Sequence, residues 1–160
     1  MTQTSQSALR RERPLEALDL FRLACYFYCY SLQECLLSRE IFPNMNAYSA
    51  VLFLQDLYVV SDSPSRRAPS DRVKRFLEDY CMFYLAKNLP VILRQDMQRL
   101  LKLPQQVLYG LLSKSLFYIV DVRADVEVLL NFAANVFAEK DLFKFFKMTH
   151  ERMTSCCGFD

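Results

Sequence analysis

Between residues 73 and 126 apolar side chains return every three or four positions, and Gly110 is the only glycine among them. Val73, Phe76, Leu77, Tyr80, Tyr84 and Leu85 follow the period of an α-helix, with Lys74, Arg75, Glu78, Asp79 and Lys87 on the wet side. Gly158 is the one further glycine in the chain. A β-rich fold needs many tight turns, and phosphate-cradling loops need glycine, so both are disfavoured. The expected fold is all-α, an array of about eight stacked helices in which each apolar stripe is buried by a neighbour.

The remaining segments fit that array. Residues 1–13 are polar and read as a flexible tail. Pro14 suits the first turn of a helix, where its missing N–H costs nothing. Leu18, Phe21, Cys25 and Tyr28 form one stripe, and Leu20, Leu23 and Phe27 make a second face apolar, which predicts a helix sandwiched between neighbours. Ser31 is the expected cap of a short helix carrying Leu32, Cys35 and Leu36, and Asn46 caps another with Val51, Leu54, Leu57 and Tyr58 as its spine. Ser61 to Ser70, with two prolines and four serines, is the clearest loop, and Ser63-Pro64 offers a proline-directed phosphosite. Ser70 or Asp71 caps the helix that starts at Val73, and Asn88-Leu89-Pro90 is expected to interrupt it, with short helices near Val91 to Arg94 and Met97 to Leu101. Pro104 starts the next helix, with Val107, Leu108, Leu111 and Leu112 inward. Leu116 to Val122 reads as an extended connection. Helices over Arg123 to Glu139 and around Leu142, Phe145, Phe146 and Met153 follow, with Thr149 as a polar interruption. A single helical domain is therefore expected over 14–155, with a flexible loop at 61–70 and a tail at 156–160.

Charge and cysteine usage narrow the function classes. A net charge of +2 gives no electrostatic footprint for nucleic acid, and Arg10-Arg11 and Arg66-Arg67 read as solvated clusters. No apolar run is long enough to span a bilayer and no signal peptide is visible, so an intracellular, cytoplasmic or nuclear protein is expected. Six cysteines with no Cys-x-x-Cys pair read as reduced thiols. Cys25 and Cys29 share a helical spacing, but zinc would want two more ligands, and His150 is the only histidine. Neither a metal nor a cofactor is expected. Cys156-Cys157 are open to acylation or oxidation, although an unpaired tail is the simpler reading.

Catalytic patterns are missing as well. There is no Gly-x-Ser-x-Gly elbow, Walker loop or dinucleotide fingerprint. A histidine-dependent nucleophile would have only His150, placed on the polar side of the last helix. Glu78 and Asp79 are adjacent, so on a helix they diverge and form no acid/base pair.

The order of these elements resembles the helical region of BTB proteins, in which a helical pair closes the BTB fold and a BACK-type array follows. Leu20, Leu23, Ala24, Tyr26 and Phe27, then Leu32, Cys35 and Leu36, are similar to that pair. Asn46, Ala47, Leu52, Leu54 and Tyr58 resemble the Asn-led helix that comes next. Phe76, Cys81, Phe83 and Asn88 sit where the family has a helix with Cys, Phe and Asn. Leu103, Pro104, Leu108, Leu111, Leu112 and Ser113 match the Leu-Pro, Leu and Leu-Leu-Ser pattern, with Val126 and Leu130 on the following helix. The resemblance covers residues 15–135. It implies a non-catalytic adaptor module of cullin ubiquitin ligases that presents helical surfaces to a scaffold or substrate. Leu15 to Tyr58 would contribute to the cullin groove, and the later array would act as a spacer.

Such a groove works by taking an apolar segment between two helices, with aromatics as anchors. Phe27, Tyr30 and Phe42 are the candidates here, and core packing is the competing role for all three. The α/β core of a BTB fold and substrate-reading repeats are not found, so the chain reads as a fragment, an isoform or a divergent relative. The face left by a missing core predicts self-association. The alternative is a Bcl-type apoptosis regulator or viral regulatory bundle that binds a partner's amphipathic helix, although the Asn-Trp-Gly-Arg type signature is missing and the chain has no tryptophan.

Overall fold

The computed structural model describes residues 16–59, 67–119 and 122–157. The expected tail at 1–13, the Ser63-Pro64 pair and residues 158–160 lie outside the described residues, as do the side chains of Cys156 and Cys157. Among the described residues the fold is all-α, with seven α-helices and no strand. They are α1 (residues 16–26), α2 (Tyr30–Leu36), α3 (Ala47–Val59), α4 (Asp71–Leu100), α5 (Gln105–Ser115), α6 (Val122–Val136) and α7 (Glu139–Cys157). A π-helical turn, Leu37–Ile41, continues α2, and a 3-10 turn, Leu116–Tyr118, continues α5. The chain forms two compact units that divide within α4, between Tyr84 and Leu85.

In the first unit side chains set the starts of α3 and α4. Asn46 and Ser49 cap α3 reciprocally: the Ser49 N–H donates to Asn46 Oδ1 at 2.9 Å and the Asn46 N–H donates to Ser49 Oγ at 3.0 Å. Ser70 Oγ accepts the Val73 N–H at 3.3 Å and so caps α4. Ser31 does not cap α2, which begins at Tyr30 with Cys29 as its N-cap and no side-chain bond. The core joins α1, α3 and α4. Phe21 meets Phe53 edge to face at 6.2 Å, and Leu54, Leu77 and Cys81 are fully buried. Burying each such side chain contributes about 1.5–3 kcal/mol relative to leaving it in water.

In the second unit α4 differs from the expectation. The helix continues through Pro90, and its break falls at Asp96, where φ is −156° and ψ is 80°. An interior proline costs a helix about 3 kcal/mol through a lost hydrogen bond and a clash with the preceding turn. Leu89, Ile92 and Leu93, all buried, offset that cost, because an interruption at Pro90 would expose them. The two short helices expected beyond Pro90 are therefore the end of α4 on either side of Asp96.

The rest of this unit follows the periodicity closely. Val107, Leu108, Leu111 and Leu112 form the buried face of α5, and Pro104 O accepts the Val107 and Leu108 N–H groups at 3.0 and 3.1 Å. Val126, Leu129, Ala133 and Phe137 are buried from α6 and the residue after it. On α7, Phe145 is buried while Phe146 and Met153 are exposed, so the inward stripe is narrower than the sequence suggests. Thr149, the polar interruption, is buried and donates to Phe145 O at 2.8 Å. The connection expected to be extended from Leu116 is a 3-10 turn first, and only Ile119 adopts extended angles before the described residues stop. Helix α7 carries on through Cys157, two residues into the expected tail.

Candidate functional site

The first unit holds the most conspicuous surface, and it forms because α1 ends in an unusual way. The Cys29 N–H donates to Ala24 O at 2.9 Å and the Tyr28 N–H donates to Cys25 O at 3.2 Å. This pair of bonds is a Schellman ending, in which the residue after the cap turns left-handed. Glycine normally fills that place. Here it is Tyr28, with φ of 54°, the only non-glycine residue with positive φ among the described residues. A left-handed turn costs an L-residue about 1–2 kcal/mol. It also swings the chain so that the run Tyr26-Phe27-Tyr28 and Tyr30 projects outward.

Those aromatics form one exposed cluster. Phe27 is 66% exposed and Tyr30 52%. Tyr26 and Phe27 meet edge to face at 5.2 Å, and Tyr28 and Tyr30 at 6.5 Å. Leu20 and Leu23 extend the patch back along α1, each about half exposed. The second apolar face of α1 is therefore not sandwiched between helices among the described residues, contrary to the sequence expectation. It stands as a stripe at i, i+3 and i+7 through Leu20, Leu23 and Phe27.

Beside the stripe lies a cavity of about 380 Å³. Its walls come from α1, α3, the start of α4 and the segment before it, with Phe21, Cys25, Phe53, Leu57, Pro69 and Leu77 supplying the apolar lining. Arg22 and Asp56 form part of the wall as a bidentate ion pair, with Arg22 Nη2 2.7 Å and Nε 3.1 Å from Asp56 Oδ1. Asp19 adds a longer contact to Arg22 at 3.4 Å. The hydrogen bond to Asp56 holds the Arg22 guanidinium pKa above its ordinary value. Burial, with a smaller push from the Asp56 charge, raises the Cys25 thiol pKa to about 12, so this thiol stays protonated at physiological pH.

Arg67 closes one side of the cavity. Its guanidinium carbon lies 4.5 Å from the ring centre of Tyr28 and 5.2 Å from that of Tyr26. Among the described residues it makes no ion pair. A buried glutamine ties this corner together. Gln33 Nε2 donates to Ala24 O at 3.3 Å, at the end of α1, while Gln33 Oε1 accepts the Ser70 N–H at 3.2 Å, at the start of α4.

Of the three aromatics singled out from the sequence, the structure brings Phe27 and Tyr30 into this cluster. Phe42 lies outside it. That ring is half-buried and stacks on Tyr80 at 4.2 Å, and the Tyr80 hydroxyl donates to Phe42 O at 3.3 Å. Tyr26, Tyr28 and Arg67 are not among the site residues that the sequence predicts: Tyr28 is expected in the stripe with Leu18, Phe21 and Cys25 but is exposed beyond the end of α1, and Arg67 is expected in a solvated cluster. The signal for the tyrosines was the aromatic run 26–28, since successive helical residues cannot all face inward.

Cys25 is buried and Cys29 exposed beyond the left-handed turn, so their four-residue spacing does not give a shared helical face. Among the described residues no group of three His, Cys, Asp or Glu side chains is arranged to hold a metal ion. Glu78 accepts a hydrogen bond from the Tyr58 hydroxyl at 2.7 Å, and Asp79 points to solvent. Burial together with that bond raises the Tyr58 pKa to about 12. His150 is exposed on α7. Among the described residues no helix is long and apolar enough to cross a membrane. No family model, curated protein or solved structure matches this chain.

Proposed function

We propose that the chain is a non-catalytic protein–protein interaction module that docks a partner on the surface built by α1, its left-handed turn and the start of α2. The observation that carries this reading is the exposed stripe of Leu20, Leu23 and Phe27 running into Tyr28 and Tyr30 beside an apolar cavity. Large apolar residues exposed together, rather than singly, mark interaction surfaces. Aromatic anchors beside a pocket supply most of the affinity at such surfaces.

The family resemblance names the first partner to try, a cullin scaffold, with the chain acting as the BACK region of a BTB-type adaptor. Two features support it. The exposed stripe falls within Leu15 to Tyr58, the segment that the resemblance gives to the cullin groove. Leu108, Leu111 and Leu112 of the Leu-Pro, Leu and Leu-Leu-Ser pattern lie on the buried face of α5, as a packed spacer requires. Titrating the full chain with a cullin N-terminal domain tests this. Binding that is lost in Leu23→Asp and Phe27→Asp, with helicity intact, supports the reading, and no binding at any accessible concentration removes the cullin. The second reading is a helical regulator that receives an amphipathic helix of its partner, and the cavity between α1 and α3 favours it. Recognition of such a helix without any cullin contact would select that reading.

A further inference from the structure

The charges around the cavity are unevenly satisfied. Asp56 and Asp19 both engage Arg22. Among the described residues Arg67 engages only the rings of Tyr26 and Tyr28. A guanidinium held against aromatic rings can still offer N–H donors that match a carboxylate in a fork. Arg67 lines the same cavity as Leu23 and Tyr26, so an acidic group bound there would sit within reach of an apolar side chain filling the cavity.

The size of the opening and its surroundings separate a protein partner from a small ligand. At about 380 Å³ the cavity is near the low end of ligand pockets, which run from about 300 to 1,000 Å³. The exposed apolar surface continues past it along Leu20, Phe27 and Tyr30, further than a small molecule in the cavity would cover. The backbone strain at Tyr28 lies in the same place, and strained residues of this kind collect at binding sites.

We infer that this surface docks a segment of a partner protein that carries a bulky apolar residue flanked by a carboxylate, the apolar side chain entering the cavity between α1 and α3 and the carboxylate pairing with Arg67. The inference rests on the docking reading above and specifies the chemistry of its partner. Arg67 acts as a rim selector for acidic neighbours, with the two tyrosines holding its guanidinium in place.

The test uses the full chain and three fluorescein-labelled amphipathic peptides followed by polarisation. One carries Leu, Leu and Phe at helical spacing flanked by glutamates, the second has the glutamates replaced by lysines, and the third has the apolar residues replaced by serine. The glutamate peptide is expected to bind about tenfold or more tightly than the lysine peptide, the scale of one charge-assisted hydrogen bond. The serine peptide should not bind. Arg67→Glu should reverse the preference between the two charged peptides, and Leu23→Asp should abolish binding of both. Both positions are exposed, so unchanged helicity by circular dichroism certifies the variants. Equal binding of the two charged peptides, both lost in Leu23→Asp, would overturn the acidic partner and leave the docking surface standing. Peptide binding that is indifferent to Leu23→Asp would overturn the inference together with the docking surface. Saturation of the cavity by laurate with no peptide binding would overturn it in favour of a small acidic lipid.

Discussion

Gln33 accepts the Ser70 N–H at 3.2 Å with its side-chain oxygen while its amide nitrogen donates to Ala24 O at 3.3 Å, so one buried side chain joins the end of α1 to the cap of α4. Both elements border the aromatic cluster. Gln33 is fully buried, and replacing it with leucine would strand the Ser70 N–H without a partner. That donor is part-buried, so the loss should cost about 1 kcal/mol, the low end for an unsatisfied buried donor. Urea unfolding of Gln33→Leu should show that loss, while Ser38→Ala on an exposed turn should stay within about 0.5 kcal/mol of the parent. Equal stability of Gln33→Leu and the parent would show that the link carries no weight.

The left-handed Tyr28 gives a test free of side-chain contacts. Tyr28→Gly and Tyr28→Ala both delete the ring and its contact with Arg67. They differ in backbone, because glycine adopts φ of 54° without the Cβ clash. Tyr28→Gly should therefore be more stable than Tyr28→Ala by about 1 kcal/mol. The same stability for both would mean that the turn relaxes when the ring is removed.

Arg22 and Asp56 should respond unequally to loss of their partner. The Asp56 side chain is 11% exposed, whereas that of Arg22 is 40% exposed and can turn to water. Arg22→Met, which keeps the stem, leaves a nearly buried carboxylate and should cost about 2 kcal/mol, between the surface and buried limits for ion pairs. Asp56→Asn should cost about 1 kcal/mol, because the arginine left behind is partly solvated. Thermal unfolding of the two variants checks the order.

Cys25 and Cys81 are buried, and Cys29 and Cys35 are exposed. Iodoacetamide at mildly alkaline pH should modify Cys29 and Cys35 well before the other two, read by peptide mass. Burial raises the Cys25 pKa from its ordinary value of 9.0 to about 12. In that interval the unfolded thiol loses its proton while the folded one keeps it. The native state then binds more protons, and stability must fall as pH rises above about 9. Cys25→Ala should flatten part of that alkaline decline in denaturant midpoints, with the remainder coming from Cys81 and Tyr58, whose pKa values burial also raises.

Most of the helices were legible from periodicity, because a stripe such as Val107, Leu108, Leu111 and Leu112 has one way to be buried. The caps at Asn46 and Ser70 were legible too, since each side chain bonds the backbone N–H three residues on. Whether the break expected at Pro90 forms is not legible from local propensity, because a one-dimensional pattern does not show which side chains a long helix will bury on either side of the proline. At the candidate site the sequence reached Phe27 and Tyr30 but not Tyr28, since a left-handed ending occupied by tyrosine breaks the usual glycine signal. Arg67 was hidden among loop arginines, because its role depends on rings some forty positions earlier in the chain.

The docking surface itself is most directly tested by one comparison. The full chain and a variant carrying Leu20→Asp, Leu23→Asp and Phe27→Asp are each titrated with the cullin N-terminal domain and with the glutamate-flanked peptide, alongside their urea unfolding curves. The expected result is loss of binding to whichever of the two the parent recognises, with the unfolding midpoint nearly unchanged because all three side chains already face solvent. Retained binding, or a variant that no longer folds, would contradict the claim that this apolar stripe is a surface for partners.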